Sequence, residues 1–300
     1  MKSVWAMTAV LVLANCGGNP LNNGGPTSST STSSTTSTTT NTSTGLVVPS
    51  DLAGNLVSAT YDPNGDSGAG TLTVQLNSLD AGTVNAVYTR DASLDVNGFR
   101  AFTTQDSSLS RKFVALVAAT SDNVLQAGVV GDGGQYATYY AGTYYSRSGS
   151  VVLPTSGIAQ WQGKYAGILN TGAGGSVTTP VQAYRTSGDI QMTADFTTNT
   201  INGGLKNHTV VDSGSGLTLS DQLALKATSI ASDGTFEGTV TYYPSVTTSA
   251  GTYGGALGGT NVSDIAGVMV FNPINGNSTL VEHGAFTGTC VSPGTGVPCP

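Results

Sequence analysis

Charge is what this chain has least of. Among 300 residues, ten are Lys or Arg and seventeen are Asp or Glu, a formal net charge of −7. Nucleic-acid binding needs a basic face, and here the only adjacent basic pair is Arg111-Lys112. Histidine and cysteine are nearly as sparse, at two and three. His208 and His283 lie far apart and lack a neighbour at ligand spacing, whereas metal sites draw on three or four ligands in a recognisable set. They read as two unrelated surface or strand histidines rather than a haem or metal pair. Asp62, Asn64 and Asp66 have the spacing of a calcium loop but lack its closing Glu and flanking helices, so a turn is expected there. No G-x-S-x-G elbow, Walker loop or dinucleotide fingerprint is present. No acid–base or nucleophile set can be assembled, so the chain reads as a non-enzyme that calls for no cofactor and no metal.

Glycine, by contrast, is abundant at 41 residues, Ser and Thr are heavily used, and twelve of the aromatics are Tyr. That composition fits an exported all-β protein. Residues 1–16 form a targeting segment, with Lys2 at its positive end and an apolar core from Val4 to Ala14. The core is shorter than the about 20 apolar residues that span a bilayer. It ends in Leu13-Ala14-Asn15-Cys16, which resembles a bacterial lipobox, although that pattern prefers Gly, Ala or Ser where Asn15 stands. Lipidation would make Cys16 the acylated (palmitate-bearing) first residue of the mature protein, held by several acyl chains at about 0.8 kcal/mol per buried methylene. The other reading is an ordinary signal peptide with an incidental Cys. Gly17 at the next position implies outer-membrane sorting.

From Thr27 to Thr44 every residue is Ser or Thr except Asn41. With no apolar side chain to bury, residues 17–44 are expected to be a disordered tether. As a random coil it spans about 30 Å. An O-glycosylated stalk is the other reading of this stretch.

Residues 45–156 are expected to form a β-rich domain of about five or six strands, packed as a handle on the C-terminal half of the chain. Residues 71–76 and 84–88 alternate apolar and polar, and 99–103 pairs next. Residues 113–119 and 125–130 are more continuously apolar, as in strands buried on both faces. At strand spacing Tyr139 and Tyr145 face one way, Tyr140 and Tyr144 the other. Together with Tyr253 these tyrosines are either a recognition surface, since Tyr supplies contact area at low entropy cost, or packing between the two domains.

Residues 157–289 read as eight antiparallel strands, near 162–169, 189–196, 200–208, 222–230, 235–243, 251–257, 265–271 and 279–288. In the second, Ile190, Met192, Ala194 and Phe196 share one parity. In the third, Gly203-Gly204 allows a bulge or bend. Short turn-rich links favour an up-and-down meander that closes into an eight-stranded barrel. Leu169, Met192, Phe196, Leu223, Leu225, Phe236, Val240 and Met269 form the inward set, bulky enough to fill it. Lys164, Asp195, Lys226 and Glu237 point outward, which a lipid-facing band tolerates badly. Cys290 and Cys299, in the 290–300 tail, are spaced as a disulfide pair in an exported protein; two free thiols in a frayed terminus are the alternative.

The phrases ADFTTNTINGGL (194–205), GKYAGIL (163–169), FEGTVTYY (236–243), YGGALGGTNVSDIAGVMVF (253–271) and HGAFTG (283–288) resemble, in order, the β-barrel domain of transferrin-binding-protein-B-like surface lipoproteins. The resemblance covers roughly 157–289. It implies an all-β fold of handle and barrel, and lipid anchorage in the outer membrane at the cell surface, the periplasmic face being the alternative. It also implies a binding role, with a macromolecular (protein) or an iron- or nutrient-related small-molecule ligand and, as co-receptor, an outer-membrane transporter as partner. Relatives that grip transferrin are longer and bilobed, and this chain has room for one lobe. A structural or adhesive surface coat, and a lipocalin-like carrier of a small apolar ligand, are the competing roles.

Overall fold

The computed structural model describes residues 39–40, 46–78, 82–136, 138–171, 180–212, 215–272, 274 and 276–291. Cys16, Cys299 and most of the tether therefore lie outside the described residues. Within the span expected to be disordered, Thr39 and Thr40 pair with Val48 and Val47; backbone pairing asks nothing apolar of the side chains that make it.

Seven strands form the handle sheet in chain order: β1 (Leu56–Asp62), β2 (Thr71–Ser78), β3 (Gly82–Arg90), β4 (Arg100–Thr104), β5 (Phe113–Ala119), β6 (Leu125–Asp132) and β7 (Ala141–Arg147). That is one beyond the upper end of the five or six expected. The strand that sequence periodicity misses is β1, where a bulge between Leu56 and Ser58 breaks the alternation. Eight more strands close an antiparallel barrel, again in chain order: β8 (Ile158–Asn170), β9 (Tyr184–Asp195), β10 (Thr200–Val210), β11 (Leu223–Ser229), β12 (Thr235–Tyr242), β13 (Ser249–Gly258), β14 (Asp264–Phe271) and β15 (Val281–Cys290). Closure pairs β15 with β8 from Trp161↔Cys290 to Asn170↔Val281.

The barrel interior is its own core. All eight residues of the expected inward set belong to it, with Trp161, Tyr165, Tyr253 and Phe286 among the largest side chains. Several inward rings lie over a glycine directly opposite on the neighbouring strand: Phe236 over Gly255, Tyr253 over Gly238, and Phe286 over Gly267. Tyr144 lies over Gly128 in the handle in the same way. Glycine's missing side chain is the seat for the ring. Gly203 fills the other expected role, at a register shift between β10 and β11.

A seam runs between β11 and β12, which pair only from Leu223↔Tyr242 to Leu225↔Val240. Tyr253, one strand further on, donates its hydroxyl across β12 to the Lys226 carbonyl at 2.6 Å. A side chain thus supplies a bond the ladder omits.

The handle lies on the outer face of β8, β13, β14 and β15. Ala166, Ala256, Ala266 and Ala285 present small side chains there, against Leu116, Leu125, Val129 and Tyr145 of the handle. Small against large lets the two sheets approach closely. Asn97 clamps the join by donating to the carbonyls of Tyr165 (3.0 Å) and Gly188 (2.6 Å). Arg147 donates to the carbonyls of Asp233 (2.8 Å) and Leu257 (2.9 Å). A single helical turn, Ser50–Ala53, places Leu52 in the same layer.

Candidate functional site

The handle sheet curls, so its second face encloses an apolar interior of Leu56, Tyr61, Leu72, Val74, Phe102, Val117, Val130 and Tyr144. One side of that interior is open. β3 follows β2 along its length but keeps only two register pairs with β4, and the sheet parts beyond them. In the opening is a cavity of about 340 Å³, walled by Val74, Leu76, Val84, Ala86, Leu109 and Phe113, with Tyr88 and Tyr136 beside them. Gln105, Asp106, Ser110, Arg111 and Gln135 supply its polar groups.

Those polar groups are held in place. Arg111 pairs with Asp132 at 2.6 Å and donates to the carbonyls of Thr138 (2.7 Å) and Gln135 (2.8 Å). Its guanidinium stacks 4.7 Å over the Tyr140 ring. Asp132 also accepts the Tyr140 N–H at 2.7 Å. Burial pushes the Asp132 pKa up, against the Arg111 charge and these hydrogen bonds. Burial, and secondarily the Asp132 charge, push the Tyr88 hydroxyl well up. The pocket thus has apolar walls and a polar floor in which the Arg111 charge is offset by Asp132 behind it, with Asp106 adding a carboxylate. It suits an apolar group with a polar edge.

Both histidines lie in the barrel wall, and both are buried rather than on the surface. His208 on β10 points inward to the fully buried Glu282 of β15, at 3.0 Å to Oε1 and 3.2 Å to Oε2. Glu282 also accepts the hydroxyls of Tyr165, at 2.7 Å, and Thr186. Burial pulls the His208 pKa down, but the Glu282 charge and hydrogen bond outweigh it, and the net direction is up. Burial pushes Glu282 up, and the His208 charge with its three hydrogen-bond partners carries the net direction down. Both directions favour a protonated His208 facing an ionised Glu282. His283, the next residue, faces outward, is buried, and has no partner for Nδ1 among the described residues. Burial pulls its pKa down to about 4, only partly offset by the Glu282 charge. A cavity of about 10 Å³ beside His208 has room for about one water. The cluster is buried, and the cavity beside it has no room for a ligand larger than water.

The sequence-predicted recognition tyrosines take up different places. Tyr140 and Tyr144 fill the curled interior of the handle, Tyr145 the layer between handle and barrel, and Tyr253 the barrel core. These four are buried and present no surface to a partner; Tyr139 is half-buried. Of the five, Tyr145 alone lies in the packing layer between the two domains, and Tyr144, of opposite parity on β7, faces the handle interior. Tyr136, in the loop before that strand, is the exposed tyrosine that lines the cavity. Cys290 ends β15, while its expected partner Cys299 lies outside the described residues. Among the described residues no cluster of three metal-ligating side chains occurs.

No protein-family model matches the chain, and no curated protein matches it. Among solved structures it is similar to the vaccine antigen transferrin binding protein B of Haemophilus parasuis Hp5, with a TM-score of 0.41 and 12% identity over 74% of this chain and 51% of that one. It is also similar to isotype 1 transferrin binding protein B of serogroup B Neisseria meningitidis (TM-score 0.36, 15% identity, 79% of this chain and 52% of that one). A structure described only as a surface lipoprotein gives TM-score 0.36 and 16% identity over 74% of this chain and 98% of that one. The chain spans about half the length of the transferrin binding protein B structures.

Proposed function

We propose that this chain is a lipid-anchored binding protein of the outer membrane whose handle pocket receives the ligand. The observation that supports it is the cavity of about 340 Å³ in the opening of the handle, a volume within the roughly 300–1,000 Å³ range of ligand pockets. The barrel interior is filled by its own side chains, so the barrel acts as the rigid support and a ligand inside it is not favoured. A surface coat needs no such pocket. Cys16 carries the anchor, the Ser/Thr tether displays the head at the cell surface, and a nutrient-related ligand passes on to an outer-membrane transporter. Cys290 and Cys299 pair to pin the tail; quantitative thiol labelling of the unfolded, unreduced protein tests this, and two reactive thiols would refute it.

Two measurements test the main reading. Protease shaving of intact cells should remove a tag placed in a barrel loop, and Cys16→Ser should release the protein from the membrane fraction; survival of the tag until the outer membrane is broken would move the head to the periplasm. In vitro, anilinonaphthalene sulfonate should fluoresce in the handle pocket, and Ala86→Trp, which fills it, should weaken that binding about tenfold or more. Equal binding by both proteins would rule the pocket out.

A further inference from the structure

A strand paired on one side only offers every second residue's N–H and C=O to whatever lies on the other. β3 is such a strand. It pairs with β2 from Leu72↔Tyr88 to Ser78↔Gly82, but meets β4 only at Thr89↔Thr103 and Arg90↔Phe102. The Asp91 N–H donates to the Ala101 carbonyl at 2.9 Å. That bond sets the phase: the odd-numbered residues of β3 aim their backbone groups toward the β4 side. Thr83, Asn85 and Val87 therefore hold N–H and C=O groups with no ladder partner there among the described residues. The even-numbered Val84, Ala86 and Tyr88 turn their side chains into the pocket.

After Thr104 the chain that would have continued β4 instead makes a turn, closed by the Ser110 N–H on the Ser107 carbonyl at 2.9 Å. The pocket occupies the gap so left. Natural free edges are blunted by charge, proline or a bulge. The Gly82–Thr89 stretch, GTVNAVYT, has no charge and no proline, and its ladder with β2 has no bulge. Around it Val84 (40%), Val87 (71%), Leu109 (69%) and Tyr136 (61%) stand exposed. Strand addition asks for unpaired backbone groups for affinity and pockets for alternate side chains for specificity. Both are present side by side.

Resting on the reading of the handle pocket as the ligand site, we infer that the ligand is an extended polypeptide segment of a partner protein, added as a strand along Thr83–Val87 with alternate apolar side chains in the pocket. On the order of five residues suffice to span that edge. A small apolar molecule would fill the pocket and leave the edge unused; the open edge is what selects a peptide.

Val87→Pro tests this with little risk to the fold, because the N–H it removes has no ladder partner among the described residues. The probes are short synthetic peptides alternating Thr with Val, Leu, Phe or Tyr, flanked by Lys, and copies N-methylated on the edge-facing residues. At least one peptide should bind the full chain in calorimetric titration. Val87→Pro and N-methylation should each weaken it about tenfold or more, while anilinonaphthalene sulfonate binding to Val87→Pro stays unchanged. Equal binding of methylated and unmethylated peptides overturns the inference, and this comparison needs no variant. Binding of the dye with no peptide bound overturns it while leaving the pocket as a small-molecule site. Absence of both removes the pocket reading as well. A wild-type dimer that Val87→Pro converts to monomer would give the edge to a second copy of this chain, and would also overturn it.

Discussion

Glu282→Ala should lower the unfolding free energy by about 3–5 kcal/mol, the cost of removing one partner from a buried ion pair. Glu282 is fully buried among Tyr165, Thr186 and His208. Alanine leaves their donors unsatisfied and opens a small cavity. Replacing both ionic partners with apolar residues, His208→Leu with Glu282→Leu, should recover most of the loss, because the desolvation cost of the pair disappears with the pair. Urea titrations of the two variants against wild type measure this. A Glu282→Ala loss below about 1 kcal/mol, the scale of an exposed pair, would refute the buried ion pair.

The same pair gives the protein a stability optimum. His208 has its folded pKa raised from 6.5, so its contribution is complete below pH 6.5 and is lost as pH rises through the raised value. Glu282 has its pKa lowered from 4.5; its contribution is complete above 4.5 and is lost as pH falls. His283, lowered from 6.5 to about 4, contributes above pH 6.5 and is lost as pH falls from there toward 4. The histidines pull in opposite directions on either side of pH 6.5. Wild-type stability should therefore peak near pH 6.5, the ordinary histidine value, in urea melts run from about pH 4 to about pH 9. In Glu282→Ala burial is opposed only by the weaker Ser220 hydrogen bond and Asp221 charge, so the alkaline decline should shrink and the profile should flatten above pH 6.5. An alkaline decline that persists undiminished in this variant would show that it comes from another group.

Gly267→Val should be the next most damaging change, at about 3 kcal/mol or more, at the upper end of overpacking costs. A Cβ at this position would meet the Phe286 ring from β15 and the Gly254 carbonyl from β13. The ring can rotate aside only into a filled core, and the carbonyl belongs to the ladder and cannot move. Gly267→Ala should cost less, and Gly267→Ala with Phe286→Leu should show favourable coupling in a double-mutant cycle. Simple additivity in that cycle would mean that the ring and the glycine are not in contact.

The sequence carried the barrel well for a physical reason. A strand buried on one face alternates, and Ile190, Met192 and Ala194 alternate without a break and reach the core as read. β5 and β6 were legible as doubly buried because Val114 and Leu116 feed the interdomain layer while Ala115 and Val117 feed the curled interior. β1 was lost where a bulge shifted its parity. The candidate site was far less legible. Its cavity depends on where β3 and β4 stop pairing, and nothing in either strand's composition marks that point. The ion pair joins residues 74 positions apart, so spacing could not announce it. The glycines were visible, but their role needed the register that sets each opposite a ring.

The burial of apolar side chains within residues 46–52 has a mechanical meaning. Leu46, Val48 and Leu52 are buried in the layer between handle and barrel, and Thr143 of β7 donates its hydroxyl to the Leu52 carbonyl at 2.6 Å. Tension arriving from the N-terminal side therefore falls first on side chains gripped by two sheets at once. It must slide them out of a packed layer together, which resists far more than peeling one edge strand bond by bond. Force applied there would pass through the middle of the two sheets, and the open edge of β3 would stay outside its path.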